Sequence, residues 1–287
     1  MNVKHKTKKM QKKIYPCIWF DNQAKEAATF YCSIFKNSKI ISENSFVTAF
    51  ELNGKQLMGL NGDPMFKITP SISLSVNCDS ADEADRIWNI LIDGGHAMME
   101  IDKYPWSERY GWLIDKYNMT WQISSTGSKN GELRILPSFL FTDKLFGRAG
   151  EAVKFYSSVF EESATNVLVL YPENDPFEGK VMYSEFSLNG AEMIAMDGPG
   201  NHNFSFNEGV SLVVECENQS EIDYFWEKLT ESGEESMCGW LKDKFGVSWQ
   251  IIPAILPKLM ADPEKAPHVF ESFKNMRKFE IDKLKTE

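Results

Sequence analysis

The chain has 287 residues, 43% of them hydrophobic and 13% aromatic, enough to bury the cores of two compact units and unlike a disordered or fibrous polypeptide. A formal net charge of −10 disfavours polyanionic partners, so neither nucleic acid nor an anionic membrane is expected. Five cysteines without a regular framework fit reduced thiols in a cytoplasm.

Residues 1–13 crowd Lys4, Lys6, Lys8, Lys9, Lys12 and Lys13, and such a charge run reads as a disordered, solvated tail. No apolar secretion-type segment follows it, and no run approaches the roughly twenty apolar residues of a spanning helix, so a soluble cytoplasmic protein is expected. Residues 14–20 carry the β-branched and aromatic bias of a strand. Asp21 or Asn22 can cap a helix in which Ala24, Ala27, Ala28, Tyr31, Ile34 and Phe35 recur at helical spacing, ending near Asn37. Strands follow around 40–50 and 56–60, divided by the hairpin signal Asn53-Gly54. A second module opens at 71–77. Its helix, capped by Ser80, bears Ala84, Ile87, Trp88 and Leu91 and stops at Gly94-Gly95, and a hairpin of 111–115 and 119–124 completes it.

The chain then repeats itself. Gly111-Trp112 with Asp115 and Trp121-Gln122-Ile123 returns as Gly239-Trp240 with Asp243 and Trp249-Gln250-Ile251, 128 positions on. Equivalent pairs lie 125 apart at Phe30-Tyr31, 136 at Asn53-Gly54 and 138 at Trp88. The second copy therefore gains about eleven residues within 170–180 and loses ten between the equivalents of Gly95 and Gly111. Its helices are predicted near 148–160 and 220–232. The boundaries are a tail over 1–13, a first domain over 14–128, a second over 129–253 and a helical extension over 254–287. The Ser/Gly/Asn-rich stretch 124–131 serves as linker. In the extension, Phe270, Phe273, Met276 and Phe279 form a packing stripe on a helix broken by Pro263 and Pro267.

Alternation in 119–124 puts Thr120, Gln122 and Ser124 on one face and Met119, Trp121 and Ile123 on the other. Trp121 and Trp249 belong to a helix-covered core, while Gln122 and Gln250 face the other way, as ligand contacts or as pins for neighbouring backbone. The segment present only in the first copy holds Tyr104, Trp106 and Arg109. It reads equally as a lid whose aromatics stack on a planar ligand and whose Arg109 grips an anion, or as a domain or dimer contact.

Trp19-Phe20-Asp21 with Phe30-Tyr31, the run Tyr104-Pro105-Trp106-Ser107-Glu108-Arg109-Tyr110-Gly111-Trp112, and Asp197-Gly198-Pro199-Gly200 followed by His202, Phe204 and Phe206 resemble the PhnB-like branch of the vicinal oxygen chelate superfamily, often named for demethylubiquinone methyltransferase. The resemblance covers about 14–124 and 134–253. It implies an α+β fold of tandem glyoxalase-like domains, each of two βαβββ modules forming an open cup of mostly antiparallel sheet with helices outside. It also implies that catalytic relatives hold a divalent metal in the cup through His, Gln or Glu of the first and last strands. Here those strands offer only Gln122 and Gln250, with Gln56 or Asn61 as weaker candidates, so no metal and no cofactor are expected. The expected function is metal-independent binding of a small molecule. The candidate contacts are Trp19, Tyr104, Trp106, Arg109, Trp112, Gln122, His202, Trp240 and Gln250. The alternatives are a superfamily lyase or dioxygenase, a methyltransferase as the family name suggests, or an interaction module with vestigial cups. A homodimer is possible, as is a monomer whose copies act as a pseudo-dimer.

Overall fold

Alternating and continuous apolar runs resolve into four βαβββ modules in the computed structural model, which describes residues 13–125 and 132–284. All of the expected tail over 1–13 except Lys13, and most of the expected linker, 126–131, lie outside the described residues. Module one comprises β1 Ile14–Asp21, α1 Ala24–Ile34, β2 Lys39–Glu43, β3 Val47–Leu52 and β4 Lys55–Gly62. Module two comprises β5 Ile72–Cys78, α2 Ala81–Leu91, β6 His96–Tyr104, β7 Ser107–Ile114 and β8 Thr120–Ser125. Module three runs through β9 Arg134–Phe141, α3 Ala149–Val159, β10 Ser163–Leu170, β11 Val181–Leu188 and β12 Ala191–Asp197. Module four holds β13 Val210–Cys216, α4 Gln219–Thr230, β14 Glu234–Glu235, β15 Trp240–Lys242 and β16 Ser248–Pro253.

Local details follow from side-chain chemistry. Ser80 caps α2 as expected, its hydroxyl accepting from Glu83 N at 3.2 Å. Neither Asp21 nor Asn22 caps α1; Asn61 on β4 does so from outside, its Oδ1 accepting from Ala24 N at 2.9 Å. Its repeat equivalent Asp197 accepts from Gly147 N and Ala149 N at the start of α3. The stretch 40–50 is a hairpin, because Asn44 Oδ1 accepts from Phe46 N and Val47 N and turns the chain.

The α+β class holds, with two open eight-stranded sheets, but modules are shared differently from the expected one cup per copy. Sheet A has the order β14-β15-β16-β13-β1-β4-β3-β2, joining modules four and one; sheet B has the order β10-β11-β12-β9-β5-β8-β7-β6, joining three and two. The seams are antiparallel, Ile14↔Val214 to Ile18↔Val210 and Ile72↔Phe139 to Asn77↔Arg134. The physical reason lies in how each copy packs internally. Its two modules meet on their helix-covered faces: Phe35 after α1 stacks on Trp121 of β8 at 5.7 Å, and Phe160 after α3 stacks on Trp249 of β16 at 5.8 Å. With helix faces pressed together, the free edge of each leading strand pairs with the other copy.

A buried aspartate fixes each of these junctions. Asp115 Oδ1 accepts from Tyr117 N and Met119 N, and its Oδ2 accepts from Tyr31 OH at 2.7 Å and Trp121 Nε1 at 2.8 Å. Asp243 repeats all four bonds with Phe245, Val247, Tyr156 and Trp249. Burial raises both carboxyls above the ordinary Asp range, against the pull of these donors. Trp121 and Trp249 are fully buried, as expected.

The C-terminal extension forms α5 Leu256–Ala261, α6 Ala266–Phe273 and α7 Ile281–Leu284. Phe270 stacks on Phe46, at the β2–β3 turn, with centroids 5.2 Å apart. A few residues on, the carbonyls of Met276 and Arg277 accept from Cys238 N and Gly239 N beside β15, at the opposite margin of sheet A. Laid flat, eight strands would separate those margins by about 30 Å, while the segment between the contacts spans roughly 10 Å if helical. Sheet A is therefore curled, and the extension straps its two lips together.

Candidate functional site

Strand register sorts the candidate residues between two concave faces. Opposite each other on β7 and β8, Trp112 and Gln122 share the face of sheet B away from Trp121. Ser73 and Ser75 of β5, Ser138, Leu136 and Arg134 of β9, and Ile194 of β12 stand on the same face. The curl of this sheet is marked by Tyr183 of β11, whose hydroxyl lies near enough to the Asn77 side chain of β5, three strands away, for the two to interact. Trp112, Leu136, Leu140 and Ile194 are buried here yet stand apart from the continuous helix-side core.

Polar atoms in cup B are nearly all engaged. Tyr110 OH donates to Gln122 Oε1 at 3.1 Å, so the Gln122 amide points its Nε2 the other way, where its one contact is a 3.5 Å approach to Ser138 Oγ. Burial pushes the Tyr110 phenol well up, keeping it a neutral donor. Arg134 bridges Glu185 and Glu192 at 2.9 and 3.0 Å, and Tyr183 OH donates to Glu185. One group is left over: the indole N–H of Trp112, 8% exposed, has no acceptor. Phe204, from the β12–β13 loop, meets the Trp112 ring edge to face at 6.4 Å.

Cup A presents the repeat equivalents with one large difference. Trp19 fills the place of Leu140, touching Phe66 at 4.9 Å and Trp240 at 6.0 Å, with its Nε1 satisfied by Asp63 O at 2.7 Å. A Cβ on Gly62 would lie 1.9 Å from the Trp19 indole, so that glycine is required. Gln250 Nε2 donates to Ser211 Oγ at 3.0 Å. Cys17 beside them is buried, which pushes its thiol up to about 12 and removes it as a nucleophile near neutral pH.

The nine candidates thus fall in three places. Trp112 and Gln122 line cup B, where Tyr104 and Trp106 stack at 5.0 Å and each meets Tyr110 edge on; Trp106 is 63% exposed at the margin. His202 packs on Phe204 at 5.2 Å with its Nε2 3.0 Å from Pro199 O, at the same mouth. Trp19, Trp240 and Gln250 belong to cup A. Arg109 faces neither cup, because alternation turns it outward to a forked pair with Asp85 of α2 at 2.8 and 2.9 Å. Sequence reasoning missed Tyr110, Leu136, Ser138, Leu140 and Phe204 as lining. Most come from the other copy, and a register reading of 134–140 as alternating strand would have paired Ser138 with Leu136 and Leu140.

The inserted segment 171–180 also lies on sheet B. Tyr171 and Phe177 pack together at 5.6 Å, and Phe177 on Phe146 at 5.3 Å, extending the β10–β11 hairpin rather than filling cup A. Both length differences between the copies therefore enlarge the two opposite margins of one sheet.

A divalent metal of the superfamily kind would need donors at facing positions of the first and last strands. Cup B offers Ser73, Gln122, Ser138 and Ile194 there, and cup A offers Cys17, Met58, Ser211 and Gln250. Neutral hydroxyls, amides and apolar side chains do not match what a divalent cation requires, and one thiol in cup A does not make a set of three or four donors. Asn61 is occupied as a helix cap. Among the described residues no group of three or more His, Cys, Asp and Glu is placed to hold an ion, and no helix is long and apolar enough to cross a membrane.

Comparison with known proteins gives the family and the fold. A family profile described as 3-demethylubiquinone-9 3-methyltransferase matches twice, over residues 12–124 and 134–252. A putative 3-demethylubiquinone-9 3-methyltransferase, PhnB protein, from Bacillus cereus is 32% identical over 38% of this chain and 95% of its own, with a TM-score of 0.36. Glyoxalase I from Zea mays superposes with a TM-score of 0.54 over 88% of this chain and 97% of its own at 9% identity. A putative dioxygenase from Bacillus subtilis gives 0.50 over 84% of each chain at 6% identity. A comparison with curated proteins finds no significant match. With the profile matching both copies, the chain belongs to the family described as 3-demethylubiquinone-9 3-methyltransferase, in two tandem copies, and it has a glyoxalase-like fold.

Proposed function

We propose that the protein binds a small planar molecule in cup B without a metal, and that cup A has become structural. The observation that carries this is the buried Trp112 N–H without an acceptor, directly opposite Gln122 on a concave face lined by Leu136, Leu140, Ile194 and Phe204. A buried donor left unpaired costs about 1–3 kcal/mol, which a ligand acceptor would recover. Because Tyr110 occupies Gln122 Oε1, the amide also turns a donor inward. Two donors beside aromatic and branched apolar surface suit a flat ligand carrying a carbonyl, carboxylate or ring nitrogen.

The test is thermal denaturation across a panel of planar aromatic ketones, carboxylates and N-heterocycles, each with and without divalent metal, and with S-adenosylmethionine alone. Binding to the native state raises Tm by mass action. A metal-independent shift that Trp112→Phe weakens supports the proposal. A shift that requires metal would overturn it in favour of the lyase or dioxygenase reading, and one with S-adenosylmethionine alone would favour the family's methyltransferase name.

A further inference from the structure

Each cup holds one glutamine at an equivalent position, and the two amides are used differently. Gln250 in cup A turns its Nε2 to Ser211 Oγ of the adjacent strand at 3.0 Å, and that hydroxyl donates to Cys17 O at 3.5 Å. Such an amide pins strand to strand. In cup B the serine equivalent to Ser211 is Ser73, whose hydroxyl accepts from Thr120 Oγ1 at 3.1 Å and donates to Pro70 O at 3.4 Å. The amide of Gln122 turns elsewhere, and a neighbouring residue accounts for it. Position 110 is tyrosine, while its equivalent 128 residues on is Cys238. Register places Tyr110 diagonal to Gln122 across β7 and β8, with its hydroxyl donating to Gln122 Oε1 at 3.1 Å. Burial raises this phenol, so it stays neutral and keeps its proton to donate. The Cys238 thiol is directed instead to the carbonyls of Phe273 and Lys274 in the C-terminal extension, at 3.9 and 3.7 Å.

We infer that Tyr110 is a positioning residue: by holding the Gln122 carbonyl it keeps the amide off Ser73 and turns its NH2 into cup B, converting the pin of cup A into a ligand contact. This role rests on the binding proposed for cup B and names what selects among its ligands. With Oε1 taken, Gln122 offers only donors, and the Trp112 indole directly opposite also offers only a donor. A planar carboxylate, whose two oxygens only accept, meets both. The matching carboxamide sets its own NH2 against one of them. Without the Tyr110 hydroxyl, Gln122 is free to take Ser73 as Gln250 takes Ser211, since Thr120 has Ile72 O at 3.2 Å as a second acceptor.

The experiment begins without ligand, with nitrogen-edited NOE spectroscopy of the Gln122 side-chain amide in the full chain. In the unsubstituted protein its NH2 protons should contact Ser138 more strongly than the Tyr110 ring, and in Tyr110→Phe, which keeps the ring, they should move to Ser73. Protons that favour the Tyr110 ring, or that keep their contacts in Tyr110→Phe, overturn the inference whatever cup B binds. Calorimetric titration then compares an aromatic carboxylate with its matching carboxamide. The unsubstituted protein should prefer the carboxylate, and Tyr110→Phe should weaken carboxylate binding about tenfold. In a Gln122→Met background the same change should do nothing, because a residue acting through Gln122 has nothing left to act on. Equal losses in both backgrounds, or a preference for the carboxamide, overturn the inference. If neither compound binds while the amide contacts move as expected, the orientation by Tyr110 stands and the binding role of cup B fails.

Discussion

Cup A and cup B descend from the same repeat and have been treated oppositely. Cup A carries Trp19 where cup B carries Leu140, satisfies that indole with Asp63 O, and is strapped by the C-terminal extension from Phe46 to Cys238. Cup B leaves its Trp112 N–H without an acceptor and receives both added segments, the long β6–β7 hairpin and the lengthened β10–β11 hairpin. Because each sheet takes a module from each copy, differences that look scattered along the chain converge on one face. On the proposed function, duplication let one cup become support while the other took on binding.

What the two halves share is the first place to press. Asp115 and Asp243 each accept four bonds, three of them from two backbone N–H groups and an indole N–H that cannot reverse their role. Asn at either position turns an NH2 toward those donors, and we expect a loss of about 3 kcal/mol at each, read as a lowered urea midpoint at unchanged slope. Equal penalties would sharpen the symmetry of the scaffold. A penalty at only one would break it.

The next effect separates the cups. Leu140→Trp copies the cup A residue into cup B, where Leu140 already lies 3.0 Å from a Cβ placed on Gly198. Calorimetric titration with the tightest binder of the panel should show affinity falling about a hundredfold, roughly 2.7 kcal/mol. Trp112→Phe, which keeps the ring and removes the N–H, should cost about tenfold, roughly 1.4 kcal/mol, and Trp240→Phe nothing. If Trp240→Phe were the damaging variant, cup A would be the binding face.

Legibility in the sequence followed the range of the interactions involved. The modules, the Ser80 cap, the Trp121 and Trp249 core positions and the family were readable because periodicity, caps and repeats are local. The pairing of modules across copies was not, since both ways of pairing satisfy the same alternation, and only the Tyr31–Asp115–Trp121 junction favours the observed one. Asp115 itself stood in the quoted repeat without a role because its four donors are spread from position 31 to 121. Arg109 illustrates the converse. Its residue type suggested an anion site, but one step of strand alternation decides the face, and Asp85, a helix away in sequence, is its partner.

The smallest expected effect tests whether the strap belongs to cup A alone. Phe270→Ala removes the stacked contact with Phe46 while leaving the Met276 and Arg277 bonds to the other lip. An aromatic pair contributes about 1 kcal/mol beyond its buried area, so a drop in stability on that order is expected at the urea midpoint, with cup B affinity unchanged. Faster amide exchange should accompany it in β2 and β3, the lip that Phe46 anchors, and not in β6 or β7. If ligand affinity moved with it, the two sheets would be coupled through the shared copies, and the division between a structural and a binding cup would have to be replaced by a single two-cup unit.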